Sequence, residues 1–263
     1  MAEEINARIY QGSGDLFYYD THMGKWRVFL KGIYSGRHQY VAFGKSVLVG
    51  YNLNEHEEMI VPLESERQSI SVGNISFMSV RCLSPDEGEL AFSGCIEHNA
   101  CSPILRVIDL DENTVVDYPR ITNPDSISWS FDGNRIYAAF DNDVYEVCRS
   151  SGQVRAVGTG YWVKVISDNE IAYWRNEGSC QVCLSRNLRT STETELFRTN
   201  LYLLSADWDP TGRYVVVLAS ASVHKFLFLR DYVCLPLIWD TQSKEFYKLP
   251  VLRKIKGGGV YWR

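Results

Sequence analysis

A short pattern of two apolar segments around a turn recurs along this chain, and it constrains the fold more than any other feature. In ISWSFDGNRIYAAF, residues 127–140, the turn contains an Asp-Gly pair, which is typical of a β-hairpin. Five further copies, two of them weak or incomplete, are YVAFGKSVLVGY from Tyr40, VRCLSPDEGELAFSG from Val80, VKVISDNEIAYW from Val163, ADWDPTGRYVVVL from Ala206 and the half copy GGGVYWR at 257–263. The protein is therefore predicted to consist of one repeated unit.

The spacing of the copies predicts what the unit is. The copies align on Phe43, Leu83, Trp129, Val165, Trp208 and Trp262, with gaps of 40, 46, 36, 43 and 54 residues. Such a period fits four short antiparallel strands, as in one blade of a β-propeller. The segments after the inner pairs predict further strands around turns rich in Asp, Asn, Ser or Gly, and no stretch predicts a capped amphipathic helix.

The two ends of the chain complement each other. Residues 7–20 and 25–32 resemble the second to fourth strands of a unit, and VYWR at 260–263 supplies the missing first strand. Pairing the ends closes a ring and removes exposed sheet edges. We predict an all-β fold, a six-bladed β-propeller closed by pairing the C-terminal strand with the N-terminal blade, and a single domain over residues 1–263.

Several of the turns resemble those of known repeat proteins. SPDEGELAF, SFDGNRIYA and DPTGRYVVV resemble the S-P-D-G turn between the inner strands of the WD40-like and TolB-like β-propeller families, and LIWD at 237–240 resembles the end of a third strand. The resemblance covers essentially the whole chain, although no Gly-His pair precedes the inner strands. It implies the propeller architecture and no particular subfamily.

Charge and composition favour some functions over others. The formal net charge of −5 does not favour nonspecific binding of nucleic acid. MAEEINARIY lacks the apolar segment of a secretory signal. The most apolar stretch, residues 225–239, is interrupted by Arg230 and Asp231 and is too short for a membrane-spanning helix. We expect a cytoplasmic protein with neither nucleic acid nor membrane as its partner.

No constellation of residues predicts a cofactor, a metal site or catalysis. The turns carry Asp86, Asp132, Asp168 and Asp209. An Asp in such a turn accepts backbone N–H groups and sets the turn. The CxxC of Cys180 and Cys183 falls in a predicted strand, where side chains three apart point to opposite faces. Seven cysteines, an odd number, do not predict a disulfide framework.

The alternative function is enzymatic. Six-bladed propellers can hold a hydrolase or lyase site in the central channel, which requires inward carboxylates or histidines at the starts of the innermost strands. Asp207 is the clearest candidate carboxylate, with Arg81 and Lys164 as its counterions. Stoichiometric calcium or zinc in the purified protein would favour this alternative.

The connections that enter the first strand of each unit predict a binding surface, since in a propeller they surround one mouth of the channel. They carry Lys31, Arg37, Arg120, Arg198, Arg253, Lys254 and Lys256 against Asp125 alone. Apolar residues 226–229, in an insertion of the sixth repeat, form a second candidate contact unless the insertion is only a longer hairpin. The predicted partner-binding residues are Arg37, His38, Tyr40, Arg120, Tyr161, Trp162, Tyr202, Phe226, Phe228, Arg253, Lys254 and Lys256.

These observations predict a non-catalytic protein-binding propeller. It acts as an interaction scaffold or as an inhibitor, such as an immunity-type protein that blocks a partner. Arginine, tyrosine and tryptophan are the residue types that dominate protein interfaces. The basic ring predicts a protein partner with an acidic surface, and we expect the chain to be monomeric on its own.

Replacing Arg37, Arg253, Lys254 and Lys256 by Glu is expected to abolish capture of the partner, because an acidic surface would then meet carboxylates. Affinity capture from the native cell followed by mass spectrometry measures this, and circular dichroism verifies the fold. Undiminished capture by the folded variant would contradict the basic ring as a binding surface.

Overall fold

The computed structural model describes the backbone of residues 7–10, 16–20, 23, 25–30, 42–43, 47–52, 57–62, 70–71, 75–96, 103–209, 212–225, 229–249 and 260–262. It describes the side chains of residues 23, 80–94, 103–203, 206–209, 212–219 and 236–249. Across these ranges every helix or strand assigned is a β-strand. The same residues include no helix long and apolar enough to cross a membrane.

The strands follow one another with short turns and connections. In chain order they are β1 (Ala7–Tyr10), β2 (Leu16–Asp20), β3 (Lys25–Leu30), β4 (Ala42–Phe43), β5 (Val47–Asn52), β6 (Glu57–Pro62), β7 (Ile70–Ser71), β8 (Ile75–Leu83), β9 (Glu89–Ile96), β10 (Ile104–Asp109), β11 (Val115–Thr122), β12 (Ser126–Trp129), β13 (Arg135–Phe140), β14 (Asp143–Cys148), β15 (Val154–Thr159), β16 (Tyr161–Ser167), β17 (Glu170–Glu177), β18 (Cys180–Asn187), β19 (Glu193–Thr199), β20 (Tyr202–Trp208), β21 (Tyr214–Lys225), β22 (Leu229–Asp240), β23 (Glu245–Lys248) and β24 (Val260–Trp262).

The strands form six four-stranded sheets. Five take four consecutive strands each, and the sixth has the order β24-β1-β2-β3. In that sheet Ala7 lies opposite Trp262 and Ile9 opposite Val260, so the strand predicted to complete the N-terminal unit does pair with it. The all-β class is confirmed. Closure of the sheets into one six-bladed ring stays a prediction.

The predicted repeat corresponds to the first strand of each sheet. The six anchors lie on these strands, Phe43 on β4, Leu83 on β8, Trp129 on β12, Val165 on β16, Trp208 on β20 and Trp262 on β24. Four of them have described side chains, and all four are buried. At these four positions the repeat therefore marks an apolar residue that the first strand contributes to the core.

The chain forms two compact units. Unit 1 comprises residues 1–39, 179–181 and 197–263, and unit 2 comprises residues 40–178 and 182–196. In unit 2 the first strands of successive sheets are neighbours, β4 beside β8, β8 beside β12 and β12 beside β16. In unit 1, β20 lies beside β24. The single domain over residues 1–263 stays a prediction.

In unit 2 the apolar core lies between neighbouring sheets. Leu105 and Trp129 belong to a cluster shared by the β8–β11 and β12–β15 sheets. Tyr137 and Tyr173 belong to a second cluster, shared by the β12–β15 and β16–β19 sheets. Trp129 also donates its Nε1–H to the Cys82 carbonyl at 2.9 Å. Trp129 therefore packs between two successive repeats.

The insertion predicted in the sixth repeat, the one anchored on Trp208, lies in unit 1 and lengthens a hairpin. Strands β21 and β22 have 12 residues each, and they pair without a register shift as far as Lys225 opposite Leu229. The longer hairpin is thus confirmed. Phe226 and Phe228, predicted as a partner contact, lie outside the described residues.

A single arginine joins two sheets of unit 2. The Arg149 guanidinium donates to the Tyr118 hydroxyl at 2.8 Å and forms an ion pair with Glu89. It also lies over the Trp129 ring, 5.7 Å from the centroid. Since the side chains of Arg149 and Glu89 are 20% and 25% exposed, the pair is shielded from much of the solvent.

Arg149→Ala is expected to lower the free energy of unfolding by about 2–3 kcal/mol, because it leaves the partly buried Glu89 carboxylate unpaired. Urea unfolding measures the change. Arg120→Ala removes an exposed arginine and serves as the control, with an expected effect below about 0.5 kcal/mol. Equal losses in the two variants would show that the contacts of Arg149 add no stability.

Candidate functional site

Strands β12 and β16 of unit 2 run side by side in the same direction. The Ser126 hydroxyl accepts the Val163 N–H at 2.7 Å, and the Ser128 hydroxyl accepts the Val165 N–H at 3.0 Å. As the first strand of its sheet, β16 has no strand paired with its backbone on this side. The two serines therefore satisfy N–H groups that no neighbouring strand pairs.

The parallel course of β12 and β16 brings several loops to one end of the sheets. Residues 123–125 lead from β11 into β12, and residue 160 leads from β15 into β16. The two-residue turn of Asp141 and Asn142 joins β13 to β14 at the same end, because neighbouring strands of the sheet alternate in direction. We call this end, formed by residues 122–125, 141–143 and 159–162, the crossover end.

The chain enters β16 through two glycines that press against β17. A Cβ atom at Gly160 would lie 2.3 Å from the Trp174 carbonyl oxygen, and one at Gly158 would lie 2.9 Å from the Tyr173 ring. The Gly160 N–H donates to the Asn142 carbonyl at 2.7 Å. A side chain at Gly160 would collide with backbone, and one at Gly158 would displace the buried Tyr173 ring, so the connection packs closely against its neighbours.

Trp162, two residues further on, has an unusual backbone. Its φ is +53°, a left-handed conformation that bulky residues rarely adopt. Tyr161 lies opposite Trp174 and Lys164 opposite Ala172, so β16 has one residue more than β17 and forms a β-bulge. A non-glycine residue held in this conformation costs about 1–3 kcal/mol.

Tyr161 and Trp162 form a partly exposed pair that we call the aromatic ledge. Their rings meet edge to face with centroids 5.6 Å apart, and Trp162 meets the buried Trp174 in the same way at 6.4 Å. The Tyr161 hydroxyl donates to Asn176 Oδ1 at 2.8 Å. The contacts with Trp174 and Asn176 on β17 thus hold the ledge in place, while part of its surface faces solvent.

Three carboxylates share the crossover end with the aromatic ledge. The Asp125 N–H donates to the Ala139 carbonyl at 2.8 Å, and the Thr159 hydroxyl donates to Asp143 Oδ1 at 3.2 Å. Asp125 and Asp141 are exposed, and Asp143 is partly exposed. Although Asp125 has ample accessible area, surrounding protein atoms desolvate its carboxyl group and raise its pKa.

The described part of the crossover end differs from the predicted basic ring. Sequence reasoning counted Asp125 there but missed Asp141, in the β13–β14 hairpin turn, and Asp143, the first residue of β14, neither of which lies on a connection between sheets. The signal was present, since Asp and Asn are the residues that a two-residue turn with two positive φ angles favours. Those angles are +54° at Asp141 and +63° at Asn142.

Four of the twelve predicted partner-binding residues are described with their side chains. Tyr161 and Trp162 lie together on the aromatic ledge, and Arg120 is exposed on β11. Tyr202, in unit 1, is 65% exposed at the start of β20. The other eight lie outside the described residues or side chains: Arg37, His38, Tyr40, Phe226, Phe228, Arg253, Lys254 and Lys256. The binding role of all twelve stays a prediction.

The aspartates at the opposite end of the sheets shape turns. Asp132 Oδ1 accepts the Ser130 hydroxyl at 2.6 Å and the Asn134 N–H at 3.0 Å. These bonds stabilise the carboxylate and lower the pKa of Asp132 to about 2. Asp86 accepts bonds from Ser84 and from Gly88 in the same way, and its pKa is lowered too.

Asp209 occupies a different position in its turn. Its Oδ1 accepts the Tyr214 N–H at 2.7 Å, as the Ser130 hydroxyl accepts the Arg135 N–H at 2.9 Å. Asp209 therefore takes the place of the serine and not that of the second turn residue, Asp132. It still sets the turn through a backbone N–H, as predicted.

The residues of the enzymatic alternative are each buried or partly buried. Asp207, in unit 1, is 9% exposed, and Arg81, in unit 2, is 8% exposed. Lys164, also in unit 2, is partly buried on β16.

Of the two cysteines of the CxxC, Cys183 is fully buried on β18, and burial raises the pKa of its thiol. Within the described ranges no three His, Cys, Asp or Glu side chains are grouped to hold a metal ion.

The chain resembles solved propeller structures in fold. It matches TolB from Acinetobacter baumannii with a TM-score of 0.75 and 16% identity over 98% of this chain, and it spans 66% of that protein. It matches a TolB-type protein of Agrobacterium tumefaciens with a TM-score of 0.70 and 14% identity, over 100% of this chain and 99% of the other. Kuenenia stuttgartiensis hydrazine synthase gives 0.60 and 15%, over 82% and 67% of the two chains.

These matches show that the fold is a TolB-like β-propeller. No protein-family model and no curated protein matches the sequence. At 14–16% identity the comparison establishes the fold alone.

Asp132→Ala is expected to lower the free energy of unfolding by about 1 kcal/mol at pH 7. The pKa of about 2 in the folded protein lies below the ordinary 3.8, so the carboxylate stabilises the fold above pH 4 and loses this effect as the pH falls towards 2. Thermal unfolding from pH 7 to 2.5 should therefore show the difference from wild type shrinking in acid.

The control for this prediction is Asp168→Ala. Asp168 is also an exposed turn residue, but none of the described hydrogen bonds involves its carboxylate. This variant is expected to change stability little. A deficit of Asp132→Ala that stayed constant down to pH 2.5 would contradict a turn held by the ionised carboxylate.

Proposed function

We propose that this chain is a non-catalytic protein-binding propeller whose partner docks at the crossover end, on the aromatic ledge of Tyr161 and Trp162. The TolB-like fold supports a protein-interaction scaffold at a coarse level. The observation that carries the finer proposal is the positive φ of Trp162.

The backbone of Trp162 favours glycine, yet the position holds the largest side chain. Packing against Trp174 offsets part of the cost, since an edge-to-face aromatic pair contributes about 0.5–1.5 kcal/mol beyond its buried area. This packing alone does not explain why a partly exposed position holds tryptophan. Backbone outliers of this kind cluster at binding and active sites, and tryptophan is enriched among the residues that dominate binding energy. A role of Trp162 in contacting a partner accounts for both features.

The form of the function follows from the rigidity of the site. The glycine contacts and the serine bridges fix the crossover end before any partner arrives, so binding requires little ordering of this surface. We propose that the protein acts as an interaction scaffold or as an immunity-type inhibitor that blocks the functional surface of its partner. We further propose that the chain is a monomer in the cytoplasm. A separate, acidic region of the partner would bind Arg37, Arg253, Lys254 and Lys256.

Trp162→Gly tests this function without unfolding the protein. Loss of the ring contacts and relief of the left-handed strain oppose each other, so the free energy of unfolding should stay within about 1 kcal/mol of wild type. Capture of the wild type's specific partner from the native cell, quantified by mass spectrometry, should fall at least tenfold. Retained capture by the folded variant would refute docking on the ledge.

Two controls separate the side chain from other effects. Ser191→Gly makes the same backbone replacement at an exposed residue with a φ of +60°, in the β18–β19 turn. Phe131→Ala removes a ring that is 50% exposed at the opposite end of the β12–β15 sheet. Both variants should capture the partner as well as wild type does.

A further inference from the structure

We propose that the partner segment that reaches the aromatic ledge is cationic, and that an arginine or lysine of this segment sits between the ledge and the carboxylates of Asp125, Asp141 and Asp143. The inference rests on the proposed function and adds the chemistry of the partner. It differs from the acidic partner region predicted for the basic connections, because it concerns only the crossover end of unit 2.

The carboxylates of unit 2 differ in how their charge is compensated. Several on its strands have cationic partners, for example Glu89 with Arg149 and Glu146 with Arg155. By contrast, Asp125, Asp141 and Asp143 form no ion pair with any described residue. Among the residues that the structure describes, the crossover end thus presents negative charge without a paired cation.

Two hydrogen bonds connect the residues beside these three aspartates to the segment that carries the ledge. Ser126, the residue after Asp125, bonds to the N–H of Val163, the residue after Trp162, at 2.7 Å. Asn142, between the other two aspartates, bonds to the N–H of Gly160 at 2.7 Å. Each carboxylate therefore belongs to a residue next in sequence to one that accepts a hydrogen bond from a residue flanking the ledge, through the Ser126 hydroxyl or the Asn142 carbonyl.

The protein surroundings of Asp125 make its negative charge costly unless a cation compensates it. Protein atoms around Asp125 desolvate its carboxyl group enough to raise its pKa. Burial, followed by the charges of Asp143 and Asp141, raises the pKa of Tyr145 on β14. A cation placed among these groups would relieve the repulsion between like charges and would be screened less than on an open surface.

Aromatic rings beside carboxylates favour a cation over other ligands. A guanidinium or ammonium group is attracted to the face of tryptophan or tyrosine, with tryptophan strongest, and it forms charge-assisted bonds with carboxylates. An acidic segment would face three carboxylates here. An apolar segment would leave those carboxylates desolvated without a partner, which is costly. The combination selects a basic segment.

A peptide probe tests the inference. We would measure binding of a fluorescein-labelled peptide of four Gly-Arg repeats by fluorescence anisotropy at 150 mM NaCl, alongside Gly-Gln and Gly-Glu peptides of equal length. Wild type should bind the Gly-Arg peptide at least tenfold more tightly than the Gly-Gln peptide. The triple variant Asp125→Asn, Asp141→Asn, Asp143→Asn should weaken that binding at least tenfold.

A charge-matched control distinguishes a site from the net charge. Asp111→Asn, Glu112→Gln and Asp168→Asn also remove three negative charges, from exposed residues at the opposite end of the sheets, and should change binding less than twofold. Equal losses in the two triple variants, or no preference for arginine over glutamine, would overturn the inference. Thermal unfolding of each variant verifies that it is folded.

The same variants separate this inference from the function it rests on. If partner capture depends on Trp162 but is unchanged in the triple variant at the crossover end, the cationic segment is wrong and the proposed function stands. If capture does not depend on Trp162, the proposed function fails even where the Gly-Arg peptide binds. Loss of capture in both variants supports both proposals.

Discussion

The structure of unit 2 depends on how the first strand of each sheet satisfies its outer edge. Such a strand pairs its backbone with a strand on one side only, and its remaining N–H groups must find acceptors elsewhere. Between β12 and β16 the acceptors are the hydroxyls of Ser126 and Ser128. Because these bonds join one first strand to the next, they fix the relative height of two sheets and thereby set where their loops emerge.

The repeat was predictable because it depends on local chemistry. Each turn needs an oxygen that accepts a backbone N–H and a residue that tolerates a positive φ, and the Ser130 to Gly133 stretch offers both. The apolar anchors follow at a fixed offset, so the strands around them could be placed from the sequence. Asp209 shows the limit of this reasoning. Serine and aspartate both offer such an oxygen, so the sequence did not show that Asp209 occupies the position that Ser130 has in its own turn.

The crossover end was only partly predictable, because its character arises from contacts between segments distant in sequence. The connections into first strands suggested Tyr161 and Trp162, but nothing in GTGYW indicates that Trp162 has a left-handed backbone. That conformation results from the bulge in β16 and from the contact of Gly160 with Trp174. Asp141 and Asp143 were passed over for a similar reason. Their turn belongs to a hairpin, and only the folded sheet brings it beside the connection.

The two glycines before the aromatic ledge separate what must stay constant from what can vary. Gly158 and Gly160 leave little or no room for a side chain beside β17, whereas Tyr161 and Trp162, which follow them, contribute partly exposed surface. A lineage of such proteins could therefore exchange the side chains at 161 and 162 without disturbing the sheet, provided that the glycines persist. The positions of the glycines are constrained and those of the two aromatic residues are not, which would allow binding specificity to diverge faster than the fold.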